Sequence, residues 1–113
     1  MNIHADYRKE REGVGTISSE HGFVQFKVNK LQDGTRECYA MDIYVTPEKR
    51  GTGLAQDLGK QLEEHARELG CEQMISTIAT NLPGASASMK FQLKFGFEIM
   101  KSFENYIMMM KKL

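Results

Sequence analysis

Residues 46–58 read Thr-Pro-Glu-Lys-Arg-Gly-Thr-Gly-Leu-Ala-Gln-Asp-Leu. Arg50, Gly51, Thr52 and Gly53 stand directly before a run in which Leu54, Ala55, Leu58, Leu62, Ala66 and Leu69 recur every three or four positions. That spacing predicts an amphipathic helix, so the glycines occupy the loop that opens it. A helix start presents unpaired backbone N–H groups and the positive end of the helix dipole, which suit an anion. Glycines without a Cβ let the anion approach the main chain, and Arg50 adds a full positive charge. The same letters also describe a plain glycine-rich turn with an exposed arginine.

A second kind of chemistry is suggested by Asp42, which sits between Met41 and Ile43 in an apolar run. A carboxylate buried there is costly unless it is paired or takes part in proton transfer. Glu37, at the outer end of the same run, reads as a solvated edge residue. Cys38 and Cys71 lack Cys-x-x-Cys spacing and read as reduced structural thiols, while His4, His21 and His65 are too scattered for a ligand set. No metal is expected.

Several elements must position these groups. Gly13 to Ser18 and Phe23 to Val28 alternate like half-buried strands around a turn at Glu20-His21-Gly22. Asp33-Gly34 marks a second turn into an apolar third strand, Glu37 to Val45. Gly70 ends the long helix, and Met74 to Ala79 follows as a buried strand parallel to the third across the helical crossover. After Pro83 and Gly84, a second helix over Ser86 to Phe95 carries Ala87, Phe91 and Phe95 on one face, with Met89 and Leu93 beside it, and stops at Gly96. Phe97 to Phe103 and Tyr106 to Met110 read as a closing hairpin. The expected fold is α/β: a mixed, mostly antiparallel sheet with a central parallel strand pair and two main helices.

The chain of 113 residues suits one domain, spanning 1–113. Fifteen basic and fifteen acidic side chains cancel, so no global field draws it to nucleic acid or an anionic membrane, and the short runs Arg8-Lys9 and Lys111-Lys112 read as solvated faces. Met1 to Tyr7 has no apolar core of signal-peptide length and no stretch approaches a membrane span, so a cytoplasmic location is expected.

Two nucleotide loops fail on their letters. There is no Gly-x-x-x-x-Gly-Lys-Ser/Thr, and Gly51-Thr52-Gly53 lacks the third glycine and the acidic residue of a dinucleotide fingerprint. A third loop fits. Arg50-Gly51-Thr52-Gly53-Leu54-Ala55 resembles the Gln/Arg-x-x-Gly-x-Gly/Ala signature of the GNAT family of N-acetyltransferases. "MDIYVTPEKRGTGLA" resembles that family's strand, Val-x-Pro and glycine loop, and "FQLKFGF" at 91–97 its later helix ending in Gly-Phe.

The resemblance implies acetyl-CoA as cofactor, its pyrophosphate on Arg50, Gly51, Thr52, Gly53, Leu54 and Ala55. It also implies that the main chain of Ile43, Tyr44 and Val45 takes the pantetheine and the thioester carbonyl, with Asn81 as a further pantetheine contact. The implied activity is acetyl transfer to a primary amine, a protein or peptide lysine or N-terminus, with Asp42 as base. Relatives carry a tyrosine acid four residues before the glycine of Gly-Phe. That position here is Gln92, so the thiolate takes its proton from bulk water or from another tyrosine, Tyr44 or Tyr106, or turnover is slow or absent; Tyr106 is taken as the catalytic candidate. A Glu-Asp pair of some relatives is Met41-Asp42 here. The family's two helices between its first strands have no counterpart, which points to an open acceptor site or to a partner subunit, as in a homodimer, that completes it; Met108, Met109 and Met110 read either as packing in the core or as lining such an interface. A non-catalytic module that binds coenzyme A or a partner protein is the alternative.

Overall fold

A computed structural model describes residues 13–113. His4 and the Arg8-Lys9 pair lie outside the described residues. β1 (Val14–Ser19), β2 (Gly22–Lys30) and β3 (Arg36–Val45) form an antiparallel meander. Its second turn is closed by Asp33, whose Oδ1 accepts hydrogen bonds from the Thr35 N–H and hydroxyl. These bonds hold the Asp33 carboxyl below its usual value. A 3₁₀ turn over Pro47–Lys49 leads to α1 (Leu54–Glu68), then β4 (Cys71–Ala79), α2 (Ala85–Phe95), β5 (Glu98–Ser102) and β6 (Tyr106–Lys112).

The sheet order is β1-β2-β3-β4-β6-β5, with β3 and β4 the parallel pair and every other neighbour antiparallel. The expected mixed sheet with two helices is therefore present, and β4 begins earlier than Met74, directly after Gly70. Gly70 takes φ +79°, the left-handed turn that stops α1.

The apolar stripe of α1 supplies the centre of the core. Leu58, Leu62 and Ala66 are almost wholly buried against Val24, Phe26, Cys38 and Met74 of the sheet. His65 packs edge-on against Phe26. Cys38 and Cys71 are free and buried, and burial, reinforced by Cys71, pushes the Cys38 thiol up to about 12.

Both helices lie on one face of the sheet, because Gly59 of α1 abuts the Phe95 ring of α2 and Gln92 of α2 bonds Ser76 of β4. Alternation along β6 splits the methionine run: Met109 is fully buried beneath the helices, while Met108 and Met110 are half-buried on the other face. There the Tyr39 hydroxyl meets the Thr77 hydroxyl at 2.8 Å, and no described helix covers the surface. No helix among the described residues is long and apolar enough to cross a membrane.

The α2 face differs from the one read in the sequence. Ala87 and Leu93 are exposed, whereas Ala85, Ser88, Met89, Phe91, Gln92 and Phe95 are half-buried. Gln92 and Ser88 bond one another in the half-buried layer, so a polar pair turns inward where an apolar stripe was expected. Lys111 of β6 fixes the end of this helix: its Nζ donates to the Phe95 carbonyl at 3.0 Å and lies beside the Glu63 carboxylate of α1.

Candidate functional site

The parallel pairing of β3 with β4 ends at Tyr39↔Ile75, although β3 continues to Val45 and β4 to Ala79. The strands part beyond that point. On the other side of β3, the β2 register passes from Phe26↔Ala40 to Gln25↔Asp42, so Met41 is an extra residue, a β-bulge. The bulge and the parting open a cleft of about 260 Å³, walled by Met41, Asp42 and Ile43 on one side and by Ser88, Phe91, Gln92 and Phe95 of α2 on the other.

Main-chain parity decides which groups of β3 face that opening. Thr46 N–H donates to the His21 carbonyl of the chain entering β2. In an antiparallel ladder successive residues point to opposite sides, so Ile43 and Val45 direct their N–H and C=O towards the side that β4 has vacated. Tyr44 points the other way, towards Phe23, and its main chain belongs to the β2–β3 ladder rather than to the cleft. The expected trio is thus reduced to Ile43 and Val45. The Val45 carbonyl is itself occupied, since Arg50 Nε donates to it at 3.1 Å, which leaves the Val45 N–H.

Arg50 is exposed, and this bond fixes where its charge lies. The side chain folds back to clamp the end of β3, with its guanidinium 5.9 Å from the centre of the Tyr44 ring. Beyond it the loop is bare backbone. Gly51 and Gly53 have φ +78° and +89°, and a Cβ on either would meet nothing within 4 Å. The first helical bond of α1 runs from Asp57 N–H to the Gly53 carbonyl. The N–H groups of Gly51, Thr52, Gly53, Leu54, Ala55 and Gln56 find no hydrogen-bond acceptor among the described residues. The Thr52 hydroxyl donates to the Lys49 carbonyl, which ties the loop to the 3₁₀ turn. Unpaired donors at the start of a 15-residue helix have the chemistry that suits an anionic group.

Asp42 lies on the cleft wall, as a base would, yet it is exposed. The apolar letters around it misled: Met41, Ile43 and Tyr44 are exposed as well, where β4 has left this part of β3 without a neighbour on one side. Tyr106 does not line the cleft. It opens β6 opposite Ala79 and stacks on Phe103 with ring centres 4.4 Å apart. Asn81 is exposed in the turn after β4, also apart from the cleft lining.

Three cleft residues escaped the sequence reading. Ser76 is buried, and its hydroxyl donates to the Gln92 side-chain amide oxygen, Oε1. Gln92 Nε2 in turn donates to Ser88 Oγ at 3.3 Å. Gly59 lets the Phe95 ring lie directly on α1. A signal existed for two of them: strand alternation places Ser76 between the inward Met74 and Ile78, and Ser88 stands one helical turn before Gln92.

A profile of the acetyltransferase (GNAT) family matches residues 6–97. A search of curated protein sequences found no match. Among solved structures, the chain is similar to Arabidopsis thaliana Naa50 in complex with the bisubstrate analogue CoA-Ac-MVNAL, at 22% identity and TM-score 0.67 over 82% of this chain and 66% of that one. It is similar to the PaiA N-acetyltransferase of Thermoplasma acidophilum in complex with coenzyme A, at 15% identity and TM-score 0.75 over 98% and 69%. Ard1 of Thermoplasma volcanium matches at 19% identity and TM-score 0.65 over 82% and 63%. The likeness to these structures is one of fold, and the chain spans about two thirds of their length.

Proposed function

The chain belongs to the GNAT family of acetyltransferases, and from that premise we propose that it is an acetyl-CoA-dependent N-acetyltransferase acting on a primary amine of a protein or peptide. The observation that carries this reading is the row of free N–H groups from Gly51 to Gln56 at the start of α1, on the same β3–α1 connection as the parted strands.

The residues present fit the donor. The glycine loop and the first turn of α1 would hold the pyrophosphate, for which positive φ and open space at Gly51 and Gly53 leave room. Arg50 keeps β3 and the loop in register and contributes its charge beside them. Ile43 and the Val45 N–H would hold amide groups along the vacated edge of β3, in the way a third strand would pair there. The thioester supplies an already activated acyl carbon, so no covalent enzyme intermediate is needed.

What the chain itself must add is orientation of the amine and removal of its proton. Asp42 would take that proton, directly or through water, a role supported by its exposed position on the cleft wall. An acceptor presented on a macromolecule is favoured because the sheet face away from α1 and α2 has no described helix to enclose a small molecule. The bisubstrate analogue bound by Arabidopsis Naa50 is in keeping with this choice.

Isothermal titration with acetyl-CoA and with coenzyme A, followed by mass spectrometry of a peptide mixture carrying free N-termini and lysines, tests the proposal. Binding with acetylated peptide is the expected result. Binding without transfer would make the chain a coenzyme A-binding module, a reading favoured by the amide of Gln92 where relatives carry a tyrosine. Absence of binding would overturn the proposal altogether.

A further inference from the structure

The Ser76, Gln92 and Ser88 side chains form a hydrogen-bonded chain with a single direction. The Ser76 hydroxyl donates to Gln92 Oε1, and Gln92 Nε2 donates to Ser88 Oγ at 3.3 Å. Ser88 Oγ therefore acts as acceptor, and its own O–H finds no acceptor among the described residues. All three residues line the cleft. A hydroxyl whose oxygen already accepts a hydrogen bond is polarised and becomes a stronger donor. The surrounding wall of Leu62, Met74, Phe91, Phe95 and Phe97 is apolar, which strengthens any charge that the hydroxyl meets there.

We propose that Ser88 is the hydrogen-bond donor to the sulfur leaving group of acetyl transfer, oriented by Gln92 and Ser76 as positioning residues. The inference rests on the acetyltransferase reading above. The two walls divide the work: β3 offers main-chain N–H groups for the acyl oxygen, and α2 offers the hydroxyl for the sulfur across the cleft. In the transfer step the amine nitrogen forms the new bond to the acyl carbon. The carbon–sulfur bond breaks with its electron pair going to sulfur, and the amine proton passes to Asp42 or water. The Ser88 hydrogen stays on its oxygen and stabilises the thiolate by a charge-assisted bond. A serine is too weak an acid to protonate a thiolate outright, so stabilisation rather than proton transfer is the role its chemistry allows.

The test is the titration of the thiol of coenzyme A bound to the purified protein, followed by the ultraviolet absorbance of the thiolate as pH rises. Wild type, Ser88→Ala, Ser88→Thr and Gln92→Leu are compared. Ser88→Ala is expected to raise the pKa of the bound thiol by about one unit, the tenfold effect of losing one hydrogen bond to a charged group, and to slow acetyl transfer by a similar factor. Ser88→Thr retains the hydroxyl and is expected to restore both, and Gln92→Leu to shift the thiol in the same direction by less. A Ser88→Ala protein whose bound thiol titrates like wild type would overturn this inference alone. Failure of the wild-type protein to bind coenzyme A would overturn the acetyltransferase reading and this inference with it.

Discussion

Gly59 and Phe95 are in direct contact across the two helices: a Cβ at Gly59 would lie 3.0 Å from the aromatic ring. The ring of Phe95 thus rests on the backbone of α1 and also forms part of the cleft wall. A side chain at 59 must displace Phe95, which is expected to reshape the cleft that both residues line. Alanine gains up to about 1 kcal/mol of helix propensity, which offsets much of the crowding, so Gly59→Ala is expected to keep its stability within about 1 kcal/mol while losing coenzyme A affinity. Gly59→Leu is expected to lose about 2–3 kcal/mol as well. Urea unfolding and isothermal titration on the same samples separate the two effects.

Gly53 sets up the opposite situation, with open space and a demanding backbone. At φ +89° a non-glycine residue is strained by about 1–2 kcal/mol even though nothing blocks its side chain. Gly53→Ala is expected to lower stability by roughly that amount, and Gly53→Val to reduce coenzyme A affinity at least tenfold while the protein stays folded. Intact affinity in a folded Gly53→Val protein would remove the loop from the binding site.

The Glu63–Lys111 pair predicts acid sensitivity. Burial raises the Glu63 carboxyl, but the Lys111 ammonium and, behind it, Arg67 hold it below its usual value. A depressed carboxyl contributes its stability above the unfolded pKa of about 4.3 and loses it as pH falls through the lower folded value. Glu63→Gln is therefore expected to be about 1–2 kcal/mol less stable than wild type at pH 7, with the gap closing as pH drops below about 4. Thermal melts of both proteins at pH 7, 5 and 3 check the trend. A gap that stays constant with pH would assign the loss to packing.

Asp42→Asn is expected to leave the folded protein within about 0.5 kcal/mol of wild type, because the side chain is exposed. Acetyl transfer is expected to fall at least tenfold with coenzyme A affinity unchanged. A rate equal to wild type would assign the proton to another group.

The strands and α1 were legible because one side of each faces a core and the other water, so alternation and three-four spacing carry the pattern in the letters. Gly51 and Gly53 were legible because the positive φ at each favours glycine. What was hidden arises from relations between elements. The exposure of Ile43 follows from β4 turning away, which no residue within β3 encodes. The bulge at Met41 is a property of the pairing with β2 and shows only in the register. Tyr106 was chosen for its hydroxyl, yet strand pairing carries it to Ala79 and a stacking partner. On α2 the apolar letters suggested a stripe, whereas Ser88 and Gln92 turn inward to satisfy Ser76, a polar group that strand alternation buries.

The last strand lies inside the sheet, between β4 and β5, rather than at its edge. While the chain is still being synthesised, β4 therefore has a free hydrogen-bonding edge beside Met74 and Ile78 until residues 106–112 emerge. A nascent chain stalled before that point would present a sticky apolar ribbon, the kind of surface that pairs with other chains and attracts chaperones.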